Sequence, residues 1–251
     1  MTEYVVMPGS HYQEICNALR EKTGDTQPIC SGQIAGRIAD LSEDYYNFFW
    51  DSYQDNGNRT FYTNGFSGIG WNDETFVPKY NLVIGPQNSG RFMFENSKIT
   101  DLKGILEKRG IVMDISNTTE THSLFYGMLD NTRLPKVDYS HIPGRHYQIF
   151  ANSPKLEEIE EYVVSETSDF ANVFTNCPSL SKIKITGTIG NAIAFPQSSL
   201  LSAQSVQSVI DCLKDLTGAA TQTLTFHADV GARMTPEQKA TIIAKNWTLV
   251  Y

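Results

Sequence analysis

Phe174-Thr-Asn176-Cys is one of four short segments that repeat a single pattern along this 251-residue chain. Each has a large apolar residue, an Asn two positions later and a small residue after the Asn, and an apolar run follows within a few residues. The other three segments are Phe94-Glu-Asn96-Ser, Leu129-Asp-Asn131-Thr and Phe150-Ala-Asn152-Ser. This recurrence indicates an internal repeat, and the repeat decides the fold class.

The apolar runs give the repeat length, because Met113, Val137, Ile159 and Ile183 are 24, 22 and 24 residues apart. The clearest run is Leu180-Ser-Lys-Ile183-Lys-Ile185, which has the arrangement L-x-x-L-x-L. Weaker copies are Leu156-Glu-Glu-Ile159, Leu134-Pro-Lys-Val137-Asp-Tyr139 and Val112-Met113-Asp-Ile115. A unit this short cannot bury its own apolar face, and a period of about 20 to 29 residues with this arrangement is typical of a leucine-rich solenoid.

Each repeat is therefore predicted to contribute one short parallel strand, with neighbouring repeats sharing one core. The Asn side chains are expected to point inward and bond to backbone groups that lose their partners where the chain turns. The small residue after each Asn (Ser97, Thr132, Ser153 and Cys177) is expected to be inward too, where there is little room.

The predicted fold class is α/β: a short, irregular leucine-rich-repeat solenoid with parallel strands, an N-terminal two-helix module and a C-terminal αβ cap. The expected divisions are a helical docking module (1–41), an aromatic capping segment (42–78), the solenoid (79–200) and the C-terminal cap (201–251).

The N-terminal helices are predicted over residues 11–22 and 31–41 from their apolar spacing. The aromatic residues of 45–53 could stack on sugars, but packing against the first open end of the solenoid is the favoured interpretation.

Helices and strands are also predicted beside and after the repeats. A helix over 100–109, ended by Gly110, interrupts the first repeat. The C-terminal cap is predicted to hold a helix over 202–216, a strand over 222–226, a helix with Thr235 as N-cap and Pro236 at its first position, and a strand over 247–251.

Composition excludes some partners. A net charge of −8 argues against nucleic acid or an anionic membrane as the main partner. The start lacks the basic and apolar regions of a signal peptide, and no stretch reaches the roughly 18 apolar residues of a membrane span. Synthesis and folding in the cytosol are therefore expected.

No catalytic or metal motif is found. Cys16, Cys30, Cys177 and Cys212 are far apart and without a C-x-x-C pair, which argues for buried free thiols and against zinc. His141 and His146 lack ligands at suitable spacing and are expected in loops. No G-x-S-x-G, Walker-type or H-E-x-x-H motif is present, so an enzyme is not expected.

One charged surface is a candidate binding site. If the repeats align as above, Asp114, Asp138, Glu160 and Lys184 form a column on the exposed side of the strands, with Val112, Lys136, Glu158 and Lys182 beside it. Like charges on adjacent strands need compensation. The favoured interpretation is that Lys136 and Lys182 supply the compensation diagonally, and that Asp114 and Asp138, each in an Asp-x-Ser sequence, turn inward to hold a backbone amide. The alternative is a polar ligand site, with calcium as a candidate ion. The predicted residues of that site are Asp114, Lys136, Asp138, Glu160 and Lys184.

The form Phe-x-Asn-Cys-Pro-Ser-Leu-x-x-Ile over 174–183 resembles the BspA-type leucine-rich repeat of bacterial surface and phage proteins. Residues 15–24 and 34–41 are similar to a module at the front of tail-associated proteins in phages and prophages of Gram-positive bacteria. Residues 49–57, 223–226 and 245–249 look like the segments that flank repeats in such proteins.

This resemblance implies a non-enzymatic structural and adhesion protein of the tail of a virion. The N-terminal helices would dock to other tail proteins, and the repeats would bind a glycan or protein of the host cell surface. The alternative is a protein-interaction scaffold or surface adhesin of the bacterium itself. A homo-oligomer is compatible with the sequence, but no heptad pattern specifies one.

Overall fold

The computed structural model describes residues 58–61, 71–78, 81–84, 94–116, 118, 123–142 and 144–251. This part of the chain has a mixed α/β fold of short parallel strands and few helices. The helices predicted over 11–22 and 31–41 and the aromatic residues 45–53 lie outside the described residues.

Twelve short strands and four helices are described, and eight of the strands follow one another along the chain without a helix between them. The strands are β1 (Asn58–Phe61), β2 (Asn81–Ile84), β3 (Met113–Asp114), β4 (Arg133–Leu134), β5 (Val137–Asp138), β6 (Gly144–Arg145), β7 (Glu158–Val164), β8 (Ser168–Asp169), β9 (Lys182–Gly187), β10 (Ile193–Phe195), β11 (Gln222–Phe226) and β12 (Trp247–Val250). The helices are α1 (Leu102–Arg109), α2 (Ala203–Cys212), α3 (Ala228–Arg233) and α4 (Pro236–Ala244).

All pairings between these strands are parallel, and they form four groups. The orders are β1-β2-β3, β6-β8 and β10-β11-β12, and in the fourth group β7 pairs with β4 and β5 on one side and with β9 on the other. The predicted register of Ile159 opposite Ile183 is confirmed, but the rest of it is wrong, since Val137 lies opposite Tyr162 and Met113 opposite Leu82.

A row of stacked phenylalanine rings runs through the core, one ring from each successive unit of the chain. Neighbouring ring centroids are 4.4 to 5.9 Å apart, and the ring planes are within 10° to 22° of parallel. The row consists of Phe94, Phe125, Phe150, Phe174, Phe195 and Phe226, which are all buried. Trp71 and Phe76 extend it edge-on before Phe94. The capping role predicted for residues 42–78 stays a prediction.

Two residues with positive φ bracket the ring in each of the central units. Two positions after the ring stand Asn96, Gly127, Asn152 and Asn176, with φ of 56° to 65°. Two positions before it stand Ser123, Gln148 and Asn172, with φ of 54° to 59°. Asn and Gly tolerate this conformation best, which explains the recurrent Asn. The turns bond to one another, for example from the Asn152 amide to the Thr175 carbonyl over 2.9 Å.

The repeat phrase proposed at Leu129-Asp-Asn131-Thr is wrong. Its ring position is held by Phe125 instead, and Gly127 takes the left-handed position that Asn holds elsewhere. Asn131 lies six residues after Phe125, just as Leu156 lies six residues after Phe150, and both Asn131 and Leu156 are buried. Its Oδ1 accepts from the Leu102 amide over 2.8 Å, at the first turn of α1. A further copy, Phe195-Pro-Gln197-Ser198, was not predicted.

The orientation expected of the other asparagines is also wrong, since Asn96 and Asn176 are exposed. Asn176 Nδ2 donates to Asn152 Oδ1 over 3.1 Å, so these side chains bond along the surface of the stack. The residue after the Asn makes the inward contacts instead. Ser153 Oγ and Cys177 Sγ donate to the carbonyls of Phe125 and Phe150, over 3.3 and 3.1 Å.

Gly110 and Thr235 end and begin their helices as predicted, whereas the helix predicted over 202–216 ends at Cys212. The Asp101 side chain caps α1, and Gly110 ends it in the left-handed conformation. Thr235 and Gln238 form a reciprocal capping box at the start of α4, with Pro236 at its first position. Helix α3 was not predicted. None of the described helices has the length and apolar content needed to cross a membrane.

Helix α2 lies along the edge of β9 in the place where another strand would pair. Ser205 Oγ accepts from the Ile183 amide over 3.0 Å, and Ser208 Oγ accepts from the Ile185 amide over 3.3 Å. Cys212 Sγ donates to the Ile185 carbonyl over 3.3 Å. Because these three residues share one side of the helix, their polar atoms satisfy backbone groups of β9 that would otherwise be unpaired.

The ring row predicts a graded response to substitution at Phe174. Phe174→Ala removes a fully buried ring between two stacked neighbours and should lower the free energy of unfolding by roughly 3–5 kcal/mol. Phe174→Leu keeps most of the apolar volume but loses the stacking, so its loss should be clearly smaller. Chemical denaturation of both variants measures the difference. A Phe174→Leu variant as stable as the wild type would contradict a role for ring stacking.

The hydrogen bonds that Ser205 and Ser208 of α2 accept from β9 predict that removing either hydroxyl lowers the free energy of unfolding. Ser205→Ala and Ser208→Ala each leave a strand amide without its acceptor, which should cost roughly 1–3 kcal/mol per site even though Ala favours helix. Gln204→Ala, at an exposed position of the same helix, is the matched control and should be neutral. Serine variants as stable as the wild type would show that α2 does not protect the β9 edge.

Candidate functional site

The exposed side of β5, β7 and β9 lies between helices α1 and α2, and we call this surface the outer face. The strands and the β4–β5 connection contribute Lys136, Asp138, Glu158, Glu160, Glu161, Lys182 and Lys184. Helix α1 adds Lys103 and Glu107 on one side, and α2 adds Gln204, Gln207 and Asp211 on the other. Short parallel strands joined by main-chain bonds hold these side chains at fixed spacing.

The predicted column of Asp114, Asp138, Glu160 and Lys184 is wrong as a single row. Asp138 lies opposite Val163, and β3, which carries Asp114, pairs with β2 but with no strand of the fourth group among the described residues. Glu160 and Lys184 remain neighbours, because Ile159 pairs with Ile183.

The register differs because β7 contains a bulge. Between Ile159 and Tyr162 it has two residues, where β9 has only Lys184 between Ile183 and Ile185. The chain before β5 has the same extra residue, since Leu134 pairs with Ile159 and Val137 with Tyr162. A bulge re-aims side chains. Here both Glu160 and Glu161 therefore lie on the outer face.

Lysines compensate these carboxylates, but of the two expected lysines only Lys136 takes part within the described residues, and Lys103 and Lys184 act where Lys182 was expected. Lys103 Nζ lies 2.7 Å from Glu158 Oε1 and 3.8 Å from Glu160 Oε2. The hydrogen bond to Glu158 raises the pKa of Lys103, although partial burial opposes the charge. The two lysines of the candidate site, Lys136 and Lys184, both pair with Glu161, at 3.2 and 3.5 Å.

Glu161 is the most strongly bound carboxylate of the outer face. Besides the two lysines, Thr186 Oγ1 donates to its Oε1 over 2.9 Å. Partial burial disfavours its charged form, but the hydrogen bonds from Thr186 and Lys136 outweigh that effect and lower the pKa of Glu161. The predicted column left out Glu161, because it assumed one residue between successive inward positions, whereas β7 has two between Ile159 and Tyr162.

Asp114 and Asp138 hold backbone amides, as the favoured interpretation expects. Asp114 Oδ1 accepts from the Ser116 amide over 2.8 Å, and Asp138 Oδ1 accepts from the Ser140 amide over 3.0 Å. Burial disfavours the Asp138 carboxylate, but the Ser140 hydroxyl and amide lower its pKa. These bonds fix the turns that follow β3 and β5.

Two open grooves flank Glu160. The first, about 410 Å³, lies between α1, β3 and β5, and four of the five predicted site residues line it: Asp114, Lys136, Asp138 and Glu160. Its floor is apolar, with Leu106, Ile111 and Met113. The second, about 520 Å³, lies between β7, β9 and α2 and holds the fifth predicted residue, Lys184. The outer face therefore has polar rims beside two concave surfaces.

The structure gives no support for calcium. Within the described ranges, no three His, Cys, Asp or Glu side chains are arranged to hold a metal ion. Lysine ammonium groups already occupy the places beside the carboxylates of Glu158, Glu160 and Glu161 to which a metal cation would be attracted.

His146 is a buried residue whose environment the sequence did not indicate. Its Nδ1 lies 2.6 Å from the Tyr162 hydroxyl, and its Nε2 lies 3.3 Å from the Ile142 carbonyl. In the neutral ring, Nε2–H donates to Ile142 and Nδ1 accepts from Tyr162. The rings of Tyr139 and Phe170 also contact it. Burial lowers the pKa of His146 from 6.5 to about 4, despite the opposing effects of the Ile142 carbonyl and Asp169.

The thiols of the described part are unreactive in character. Cys177 is buried, and burial raises its pKa to about 12. Cys212 is half-buried, and burial likewise raises its pKa.

Comparison of the chain with protein-family models, curated protein sequences and solved structures gives no match.

The His146 environment predicts a stability that falls in mild acid. The unfolded chain binds a proton near pH 6.5, whereas the folded chain resists it down to about pH 4. This contribution to the free energy of unfolding is fully present above pH 6.5. As the pH falls from 6.5 towards 4, it is lost at about 1.4 kcal/mol per pH unit, up to about 3 kcal/mol in total. Denaturation midpoints from pH 7 to pH 4 measure it.

His146→Gln should be less stable than the wild type at pH 7 but should lack most of this pH dependence. His141→Gln, at the exposed histidine nearby, is the matched control and should follow the wild type. An unchanged slope in His146→Gln would assign the acid sensitivity to other groups.

Proposed function

We propose that this protein is a non-enzymatic leucine-rich-repeat solenoid protein of a phage or prophage tail, which binds the host cell surface through its outer face. The carrying observation is the outer face itself. Two grooves lie beside a parallel-strand surface whose charged side chains are held by fixed register and by ion pairs.

The solenoid assignment is supported by the stacked rings and by the parallel pairing of successive units. Leu156, Ile159, Leu180 and Ile183 occupy equivalent buried positions in two adjacent units, as leucine-rich repeats require. Repeat stacks of this kind build extended binding surfaces from side chains of many units.

A binding role is supported by the mixture of groups in the first groove. Its apolar floor offers contact area, whereas Asp114, Asp138 and Glu160 at its rim offer hydrogen-bond acceptors. Such sites combine apolar surface with a few fixed polar groups that orient the ligand. A host-surface glycan or protein supplies both kinds of partner.

The tail context is supported by the resemblance of residues 174–183 to BspA-type repeats and of residues 15–24 and 34–41 to a module of tail-associated proteins. In this proposal residues 1–41 dock to other tail proteins. Mass spectrometry of particles released from a lysogenic Gram-positive host should then detect the chain.

Binding to Gram-positive cells tests the outer face directly. The purified wild-type chain should bind intact host cells, and Asp138→Ala/Glu160→Ala should weaken that binding by about tenfold or more, as expected for loss of charge-assisted hydrogen bonds. Cells stripped of surface polysaccharide and cells treated with protease would distinguish a glycan from a protein receptor.

The matched control is Asp130→Ala/Glu166→Ala, which removes two carboxylates that pair with Lys155 and Lys214 away from the outer face. This control should bind like the wild type. Unweakened binding by a folded Asp138→Ala/Glu160→Ala variant would refute the outer face as the binding surface.

A further inference from the structure

The strand stack is open between β3 and β5, which belong to successive units. The rings of these units, Phe94 and Phe125, stack with centroids 5.6 Å apart. Among the described residues, however, β3 pairs with β2 alone and β5 with β7 alone. Helix α1 begins beside a main-chain bond that joins the two units, from the Thr132 amide to the Thr100 carbonyl over 2.8 Å. The first groove, of about 410 Å³, therefore separates two strands that a regular repeat would pair.

The backbone of β3 offers hydrogen-bonding groups to this groove. In a parallel ladder the N–H and C=O of one residue point to the same neighbour, and those of the next residue point to the opposite one. The Leu82 amide of β2 donates to the Val112 carbonyl over 2.8 Å, so Val112 is directed at β2. Met113 and Ile115 are therefore directed away from β2. Residues 111–116 all line the groove, so this free edge of β3 forms one of its walls.

The edge of β5 faces the groove from the other side. The Tyr139 amide donates to the Val163 carbonyl of β7 over 2.9 Å, so the N–H and C=O of Asp138 are directed away from β7. Within the described ranges, these two groups form no hydrogen bond, and neither do the N–H and C=O of Met113 or the N–H of Ile115. Another strand can match edges of this kind. Main-chain groups on both walls are therefore open to a strand that lies between β3 and β5.

The charge of the groove indicates the side chains of such a strand. Lys103 and Lys136 make their shortest ion pairs, 2.7 and 3.2 Å, with Glu158 and Glu161, which lie outside this groove. Four carboxylates line the groove: Glu107, Asp114, Asp138 and Glu160. Because a strand presents alternate side chains to opposite faces, basic residues can meet these carboxylates while apolar residues meet the apolar floor.

We propose that the first groove binds an extended polypeptide of the host cell surface, which pairs with β3 and β5 and alternates basic and apolar residues. The proposal rests on the host-binding function and narrows the receptor to a protein. An added strand supplies main-chain donors and acceptors on both of its edges, and its alternate side chains give specificity. A glycan has no such alternating main-chain groups, so it would leave the edges of β3 and β5 unmatched.

A synthetic peptide tests the groove in the purified full chain. The probe is acetyl-Lys-Val-Lys-Val-Lys-amide, and amide hydrogen exchange followed by NMR gives the protection of each residue. The probe should slow exchange at the amides of Met113, Ile115 and Asp138. The amides of Asp114 and Tyr139 already bond to β2 and β7, so they are internal controls and should not change.

Two matched peptides separate strand pairing from charge. Replacing each Lys of the probe by Glu keeps the backbone and reverses the charge. Methylating the two Val nitrogens keeps the charge and removes the N–H groups from one edge of the peptide. Each change should weaken binding by about tenfold or more.

Asp138→Pro and Asp138→Ala form the matched pair in the protein. Both remove the carboxylate, but only Pro also removes the N–H that is directed at the groove. Pro is tolerated in a strand where this N–H has no ladder partner. Asp138→Pro should bind the probe about tenfold more weakly than Asp138→Ala. If Asp138→Pro does not fold, the N-methylated peptide with the wild type decides the same point.

Three results would overturn the proposal: no protection of the three amides by the probe, an N-methylated peptide that binds as tightly as the probe, or amides that are already protected before the probe is added. The last result would show that another segment of this chain fills the groove.

Host cells separate this proposal from the function on which it rests. The wild type should bind cells stripped of surface polysaccharide and should fail to bind protease-treated cells. The opposite pattern would assign the outer face to a glycan and overturn the peptide proposal alone. Absence of binding to any cells would refute the host-binding function, while protection by the probe would still support strand pairing in the groove.

Discussion

The stacked phenylalanine rings set the distance between successive units, and the other contacts of the fold must match that distance. Rings 4.4 to 5.9 Å apart are compatible with parallel strands about 4.8 Å apart, so one spacing serves the core, the turns and the strands. The left-handed residues on either side of each ring turn the chain so that the next main-chain bonds form. Strand pairing at Ile159 and Ile183 continues the same spacing on the other side of the core.

Much of this arrangement could be predicted from the sequence, because the signal lies in residue types with a single physical reason. Asn recurs where φ is positive, apolar residues alternate along β9, and Asp101, Gly110 and Thr235 have clear roles at helix ends. The prediction failed at Leu129-Asp-Asn131 because Gly127 meets the same backbone requirement as Asn, and because Asn131 replaces a repeat leucine. A comparison of residue types alone detects neither Gly127 in the place of an Asn nor Asn131 in the place of a leucine.

The candidate site shows the same limit. Asp114, Lys136, Asp138 and Glu160 do line one groove, but the pairing between them differs from the predicted column. The predicted column assumed the same spacing in every unit, but residues 135–136 and 160–161 lie opposite each other where β9 has only Lys184. His146 could not be found from the sequence, because its burial comes partly from Tyr162 and Phe170, which belong to the next unit.

The unequal lengths of the units have a consequence for how such a protein diversifies. Successive rings are separated by 31, 25, 24, 21 and 31 residues, yet every pair is stacked, with centroids 4.4 to 5.9 Å apart. Helix α1 lies within one of the long units, and α2 replaces a strand altogether. Selection can therefore lengthen, shorten or exchange the segments between rings while the inherited framework stays intact, and the walls of both grooves are built from those exchangeable segments.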